Sequence, residues 1–219
     1  MKSKRLKAIT DYLSPNDYLI DVGCDHAYVS IEMAKRGCRR ILATDISAKV
    51  IEIAKKNIKK ENLEEKIMTK VCDGLKGVIL EKYNTIVISG MGYLTIKHIL
   101  EEQDLHSIKK IIVQTNNDLE DLRKYMNELG YYLEDEKIIK EKKHYYTVMK
   151  YILKKGQILK EVEYSFGLYS KENLDYYKFI AQKLDSILKK IPNNKEQKKE
   201  VQKKRDLIKE YLEKETGSI

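Results

Sequence analysis

The stretch Leu19–Tyr28, with the sequence LIDVGCDHAY, decides the fold, because a buried strand runs directly into a sharp turn that opens a helix. The turn keeps the first glycine of a G-x-G-x-x-G motif at Gly23, whereas Asp25 and Tyr28 stand where the other two glycines would be. A dinucleotide needs the second glycine, because the backbone must approach its pyrophosphate closely. We therefore expect a ligand without a pyrophosphate, which argues against a dehydrogenase.

Four aspartates fall at or just beyond the ends of strand-like runs, namely Asp21, Asp25, Asp45 and Asp73. In a doubly wound sheet, ligands bind outside the carboxyl ends of the strands, so these carboxylates should converge on one crevice. An acidic crevice repels phosphate and attracts a cation. S-adenosylmethionine (SAM) carries a sulfonium and an ammonium, offers ribose hydroxyls and has no phosphate. The aspartates therefore indicate a SAM-dependent methyltransferase.

Three of these aspartates have distinct predicted roles, each with a structural alternative. Asp21 is expected to order the glycine turn or meet the methionine ammonium, unless it only caps the following helix. Asp45 lies 22 residues after Gly23, near the separation that brings an acid onto ribose hydroxyls, and it could instead cap the next helix. Asp73 is placed to accept a hydrogen bond from the adenine amino group, and a simple Asp-Gly turn is the alternative.

Neighbouring residues complete the predicted cofactor site. His26 is expected to position the loop by hydrogen bonding, and a general base is the alternative role. Cys24 is expected to pack beneath the cofactor, because nearby aspartates disfavour a thiolate. The predicted cofactor-binding residues are Asp21, Gly23, Asp25, His26, Asp45, Ile46, Asp73, Gly74, Ser89 and Gly90.

The loop after the fourth predicted strand indicates the reacting atom. It begins Ser89-Gly90-Met91-Gly92-Tyr93, whereas methyltransferases that act on exocyclic amino groups commonly carry an Asn/Asp-Pro-Pro-aromatic loop. A ring nitrogen with a free lone pair needs no proton removed, so alignment with the methyl–sulfur bond supplies most of the catalysis. Tyr93 would stack on a base or only pack. The predicted catalytic residues are Gly90, Met91, Gly92, Gln114 and Asn116, the last two at a base edge or in loop hydrogen bonds.

Strand and helix patterns alternate through the first two thirds of the chain. Predicted strands cover 18–22, 40–44, 66–72, 85–89 and 109–114, and predicted helices cover 3–13, 27–36, 47–60, 75–81, 93–102 and 119–129. A hairpin of two strands, 131–139 and 144–153, follows. This order predicts an α/β fold, the seven-stranded, Rossmann-like class I methyltransferase, over residues 1–155.

Residues 156–219 have a different pattern, which predicts a second, helical domain. After a short strand around 160–166, apolar residues are spaced three and four apart from Leu174 to Ile191, and the pattern resumes from Val201 to Leu212 after a turn at 192–194. We expect a C-terminal α-helical, coiled-coil-like hairpin. It would brace the first domain, dimerise, or grip RNA through its lysines at 183, 189, 190, 195, 198, 199, 203 and 204.

Composition limits the class of partner and the location. The 219 residues include 43 basic and 34 acidic side chains, and the net charge of +9 suits a polyanion such as RNA. No apolar run approaches the length of a membrane span and no signal core is present, so we expect a cytoplasmic protein. The three cysteines lack C-x-x-C spacing, which indicates neither a disulfide framework nor a metal site.

Four motifs together resemble the bacterial tRNA (adenine(22)-N(1))-methyltransferase family, often called TrmK. They are residues 21–28 (DVGCDHAY), 73–75 (DGL), 89–92 (SGMG) and 114–116 (QTN). The resemblance spans most of residues 3–155. It implies SAM as cofactor, tRNA as partner, and methylation of N1 of an adenine in the D-arm region. No obligate protein partner is evident from the sequence.

Two alternatives stay open at the level of sequence. The chain could be a SAM-dependent methyltransferase with another RNA, DNA or protein substrate, because the motifs do not read the substrate directly. It could also be a non-catalytic, RNA-binding Rossmann-like module whose glycine loop no longer holds cofactor.

Overall fold

The computed structural model describes residues 3–101, 103–192 and 196–214. The chain forms two compact units, residues 1–157 and residues 158–219. The division lies two residues beyond the predicted boundary at 155. The side chain of Asn127 donates a hydrogen bond to the Gln157 carbonyl at 2.7 Å, which keeps the segment after the last strand attached to the first unit.

The first unit is built on one seven-stranded sheet with the order β3-β2-β1-β4-β5-β7-β6. The strands are β1 Tyr18–Val22, β2 Arg40–Asp45, β3 Ile67–Val71, β4 Thr85–Met91, β5 Lys110–Thr115, β6 Tyr131–Glu141 and β7 His144–Leu153. The first five strands are parallel, and the β6–β7 hairpin joins β5 in antiparallel pairing. The strand order reverses between β1 and β4, which is where an open α/β sheet forms its ligand crevice. The predicted seven-stranded, Rossmann-like topology is confirmed.

Among the described residues of the first unit, five α-helices flank this sheet: α1 Lys4–Asp11, α2 Tyr28–Lys35, α3 Ala48–Lys60, α4 Tyr93–Glu101 and α5 Leu119–Glu128. Both faces of the central strands are covered, so Leu19, Ile86 and Ile112 are fully buried. Ala8 and Ile9 bring α1 into the same apolar cluster as Val148 of β7.

Some predicted boundaries in the first unit are wrong for local reasons. The helix predicted over 75–81 is a set of turns and a short 3₁₀ helix, Leu80–Lys82, because Gly74 and Gly77 adopt left-handed φ values of 58° and 67°. Helix α2 begins one residue later than predicted, since Ala27 has φ 59°. Glu102, the last residue of the helix predicted over 93–102, lies outside the described residues.

The second unit contains α6 Glu161–Phe166, α7 Leu174–Leu188, α8 Glu196–Leu207 and α9 Lys209–Glu213. The short strand predicted around 160–166 is wrong. The Glu163 carboxylate accepts a hydrogen bond from the Lys160 amide at 2.7 Å, which stabilises the first turn of a helix there.

The helical hairpin forms from α7, α8 and α9. Arg205 reaches Asp185 at 2.6 Å, and the rings of Tyr211 and Tyr177 lie 5.0 Å apart, so the two halves run antiparallel. The predicted seam is buried at Tyr177 and Ala181 of α7 and at Ile208 after α8, but not along its whole length. Coiled-coil packing therefore stays a prediction. The predicted turn residues Asn193 and Asn194, and Lys195, lie outside the described residues. Among described helices, none is both long and apolar enough to span a membrane.

Candidate active site

A cavity of about 770 Å³ opens at the carboxyl ends of β1, β2 and β4, on the side of the strand-order reversal. Its size is typical of a site for a ligand as large as a nucleoside derivative. Eight predicted site residues line it: Asp21, Gly23, Asp25, Asp45, Ser89, Gly90, Met91 and Asn116. Its wall therefore combines the turn after β1 with the ends of the neighbouring strands.

The other predicted site residues are not among those that line this cavity. They are His26, Ile46, Asp73, Gly74, Gly92 and Gln114. The structure thus brings three of the four predicted aspartates to one cavity and leaves Asp73 outside its lining.

Asp21 is 3% exposed and forms part of the cavity wall. Its Oδ2 accepts hydrogen bonds from the Ser30 hydroxyl at 2.6 Å and the Ser30 amide at 3.2 Å, so it also caps the first turn of α2. Its Oδ1 takes no hydrogen bond from any described residue, and no described cation pairs with it. Burial raises the pKa of Asp21 to about 6, against the hydrogen bonds from Ser30. A cationic group in the cavity would offset the free-energy cost of burying the ionised Asp21 carboxylate.

The turn after β1 depends on left-handed backbone. Gly23 has φ +67°, and a Cβ added there would lie 2.1 Å from the terminal methyl of Met91. Asp25 and Ala27 adopt φ of 50° and 59° without being glycine, which is a strained arrangement at the mouth of a ligand site. The turn therefore places the Asp25 side chain at the cavity and leaves room for Met91.

Asp45 ends β2 with one carboxylate oxygen used internally. Its Oδ1 accepts a hydrogen bond from the Ser47 amide at 2.9 Å, while Ser47 itself is the N-cap of α3. Asp45 is therefore not the helix cap that the sequence left as an alternative. Its other oxygen has no hydrogen-bond donor among the described residues, and Asp45 lines the cavity.

Asp73 and its neighbours lie at the next strand end. The Asp73 carboxylate accepts a hydrogen bond from Lys76 Nζ at 2.8 Å and lies 3.8 Å from His98 Nε2. The hydrogen bond from Lys76 contributes most to holding the pKa of Asp73 below its ordinary value. The role of Asp73 at the adenine stays a prediction, as do those of Gly74 and of Ile46, which is 70% exposed beside Asp45.

The loops after β4 and β5 are held together by hydrogen bonds. The Asn116 side chain donates to the Gly90 carbonyl at 2.8 Å, and its backbone amide donates to the Met91 carbonyl at 2.9 Å. A Cβ at Gly92 would approach Asn117 Oδ1 to 3.1 Å, and that same oxygen accepts from the Tyr93 amide at the start of α4. These contacts fix the Gly-Met-Gly loop against the end of β5.

Gln114 is fully buried and has its side chain occupied within the protein. Its Nε2 donates to the Thr115 carbonyl at 2.8 Å and to Asn116 Oδ1 at 3.1 Å, and its Oε1 accepts from Arg5 at 3.4 Å. Of the two predicted base-edge residues, only Asn116 therefore faces the cavity, and Gln114 orients it.

His26 and Cys24 both lie in the turn after β1, and their predicted supporting roles stay predictions. The His26 carbonyl accepts from the Asn57 side chain at 3.1 Å, and its ring stacks on Tyr28 at 5.4 Å. Burial, then the carboxylates of Asp21 and Asp45, raise the pKa of the Cys24 thiol. Cys24 lines the cavity, and a raised thiol pKa disfavours a nucleophilic role.

Sequence reasoning missed the contribution of α1 and of Ser3, the residue before it. Ser3, Arg5, Leu6 and Ile9 line the cavity, together with Tyr28 and Val29 of α2. The spacing of Arg5 and Ile9 placed them on one helical face, but nothing local indicated that this face covers the cavity. No group of three or more metal-ligating side chains occurs within the described ranges.

Comparisons with known proteins agree with this geometry. The methyltransferase domain family matches residues 2–149. A tRNA (adenine(22)-N(1))-methyltransferase from Bacillus subtilis is 29% identical over 150 residues, 67% of this chain, and the alignment spans 63% of that relative's length.

Two solved structures are similar over nearly the whole chain. One, from Streptococcus pneumoniae, is a proposed tRNA (m1A22) methyltransferase with TM-score 0.88 and 31% identity, covering 97% of this chain and 100% of that one. The other is M. capricolum TrmK in complex with S-adenosyl-homocysteine (SAH), with TM-score 0.86 and 28% identity, covering 97% and 98%.

Proposed function

Because this chain belongs to the methyltransferase domain family, and within it to the tRNA (adenine(22)-N(1))-methyltransferases, we propose that it transfers a methyl group from SAM to N1 of adenine 22 in tRNA. The observation that carries the proposal is the buried carboxylate of Asp21 facing a cavity of nucleoside size. Such a group favours a cation, and SAM brings two of them.

Different residues at the cavity are proposed to bind different parts of the cofactor. Asp21 Oδ1 would accept a hydrogen bond from the ammonium, directly or through water, and the outward oxygen of Asp45 would accept from the ribose hydroxyls. Asp25 adds a third negative charge at the mouth. Asp73, Gly74 and Ile46 are proposed to border the adenine from the neighbouring strand end.

Bound SAM supplies an electrophilic methyl group on its sulfonium. The protein's task is to hold the adenine so that the N1 lone pair lies in line with the bond to that methyl, which needs no general base at N1. We propose that the Gly90-Met91-Gly92 loop forms the support for the base and that Asn116 faces its edge. One Nδ2 hydrogen of Asn116 is committed to the Gly90 carbonyl, which leaves the second available to an acceptor atom of the adenine.

The tRNA partner is supported by the family and by the charge of the chain. A net charge of +9 favours association with a polyanion, and the similar structure from Streptococcus pneumoniae, covered over its whole length, is named a tRNA methyltransferase. We propose that the helical unit, residues 158–219, contributes to tRNA binding through its lysines. A tRNA-modifying enzyme would work in the cytoplasm.

Methyl transfer to tRNA transcripts tests the proposal. Transcripts with adenine or guanine at position 22 are incubated with labelled SAM, and we expect label only in the adenine transcript, recovered as 1-methyladenosine on nucleoside analysis. Equal labelling of both transcripts rules out the proposed target. Label in another nucleic acid or in protein would favour the hypothesis of a methyltransferase with a different substrate. If calorimetry detects no binding of SAM, the hypothesis of a non-catalytic RNA-binding module is favoured.

A further inference from the structure

The β6–β7 hairpin extends past the rest of the sheet on the side of the cavity. The last pair between β5 and β7 joins Gln114 to Val148, whereas β6 and β7 continue for four more pairs, as far as Glu141 and His144. At roughly 3.3 Å per residue, the extension is about 13 Å long. Because β7 runs antiparallel to β5, this extension projects beyond the carboxyl edge of the sheet, where the cavity lies.

The end of this extension is basic and exposed. Lys140, Lys142 and Lys143 are all exposed. Glu141 is the acidic residue among them, and its carboxylate faces α1, where it accepts hydrogen bonds from the Ser3 hydroxyl at 3.1 Å and the Arg5 amide at 3.3 Å. None of the ion pairs among the described residues includes these three lysines, and Lys140 Nζ lies 5.3 Å from the centre of the Tyr145 ring.

Arg5 connects this basic surface to the cavity. Its guanidinium lies 5.3 Å from the centre of the Tyr146 ring, on the hairpin, and Arg5 also lines the cavity. Lys4 beside it is exposed. Arg5 and Lys4 thus add positive charge between the cavity and the hairpin end, within a single unit of the protein.

The backbone at the hairpin end adds an independent observation. Lys142 adopts φ 55° in the two-residue turn, a left-handed conformation that costs a non-glycine residue about 1–2 kcal/mol. Asparagine or glycine suits this position better. A lysine there carries a backbone cost, which favours a role for its side chain.

We propose that the hairpin end, residues 140–144, binds the sugar–phosphate backbone of the tRNA beside the target nucleotide while the cavity holds the adenine. The inference rests on the proposed function and adds a contact that the family resemblance does not assign. Lysine–phosphate contacts carry no base readout, so the hairpin end positions the tRNA and leaves the choice of base to the cavity.

The test replaces two lysines in one variant, Lys142→Asn with Lys143→Gln. Asparagine fits the left-handed position, so the thermal midpoint should be unchanged or higher. We expect the Kd for tRNA to rise on the order of tenfold and the slope of log Kd against log salt to fall by about one per lysine. The affinity for SAH should be unchanged, and A22 and G22 transcripts should lose affinity equally.

The matched control is Lys59→Gln with Lys60→Gln. These exposed neighbours end α3 at the opposite edge of the sheet, so tRNA affinity should stay close to wild type. If the hairpin variant binds tRNA with the same affinity and salt slope as this control, the inference is wrong. Methylation of adenine 22 by the wild-type enzyme is measured in the same series, so failure of the proposed function is seen separately.

Discussion

The side chain of Met91 fills the space above the backbone of Gly23, where an added Cβ would come within 2.1 Å of the Met91 methyl carbon. Gly23 follows β1, and Met91 ends β4, the adjacent strand at the centre of the sheet. The contact therefore joins the proposed cofactor turn to the proposed base-binding loop. The position of Met91 depends on the missing side chain at Gly23.

Gly23→Ala should weaken SAM binding more than it weakens folding. Alanine at φ +67° is strained by about 1 kcal/mol, and its methyl would push Met91 away from the turn. We expect the Kd for SAH to rise at least about tenfold by calorimetry. The control Gly37→Ala carries similar backbone strain at φ +99° in an open setting, so it should lower the thermal midpoint without changing SAH affinity.

Asp21→Asn should affect stability and binding in opposite directions. Asparagine still accepts from Ser30 and no longer buries a charge, so the free energy of unfolding without ligand should rise by about 1–3 kcal/mol at pH 7. The Kd for SAM should increase because the charge facing the ammonium is lost. Thermal unfolding and calorimetry on the same preparation measure both. A less stable variant with normal SAM affinity would contradict the assignment.

The pH dependence of the unliganded protein follows from the same residue. The pKa of Asp21 is about 6 when folded and 3.8 ordinarily, so the folded protein binds more protons between these values. Stability from this group therefore falls as pH rises from 3.8 to 6 and stays low above it. Acidification from pH 7 to 5 should raise the free energy of unfolding of wild type relative to Asp21→Asn, and it should weaken SAM binding to wild type. Equal stability–pH profiles of the two proteins would contradict this.

Asp45→Asn should lower cofactor affinity through the ribose. Asparagine keeps the acceptor for the Ser47 amide, so the strand end is preserved while a charge-assisted contact of about 1.5–3 kcal/mol is lost. Calorimetry with SAH and with its 2′-deoxy analogue tests whether the ribose hydroxyl is the partner of Asp45. The loss of affinity caused by Asp45→Asn should be smaller for the analogue than for SAH. The matched control is Asp104→Asn, which removes an exposed carboxylate that also accepts a hydrogen bond from a backbone amide. It should leave the affinity for SAH unchanged.

Asn116→Asp should slow methyl transfer with little change in SAH affinity. Aspartate cannot donate to the Gly90 carbonyl, so the loop after β4 would lose the bond that positions it. A displacement of about 1 Å at a reacting atom can cost about a hundredfold, and we expect kcat for tRNA methylation to fall by about ten- to a hundredfold. An unchanged kcat, or a loss confined to SAH affinity, would show that Asn116 has another role.

Three of the four predicted aspartates line the cavity and the fourth does not, for a physical reason. Asp21, Asp25 and Asp45 reached one cavity because the carboxyl ends of parallel strands share an edge. Asp73 also follows a strand, but Lys76 three residues later competes for its carboxylate, and the alternation of strands says nothing about that partner. Gln114 lies within β5, one residue before its end, and its side chain turns inward to Asn116 and Arg5.

The amino-acid sequence alone determined the order of strands and helices, the edge of the sheet that carries the acids, and the class of cofactor, because hydrophobic periodicity and turn chemistry act over a few residues. Only the tertiary structure decided which side chains close the cavity. Ser3 meets Glu141 across 138 positions of chain, and Arg5 reaches Gln114 across 109. Such contacts follow from the packing of the N-terminal segment on β5 and β6, and no local pattern encodes them.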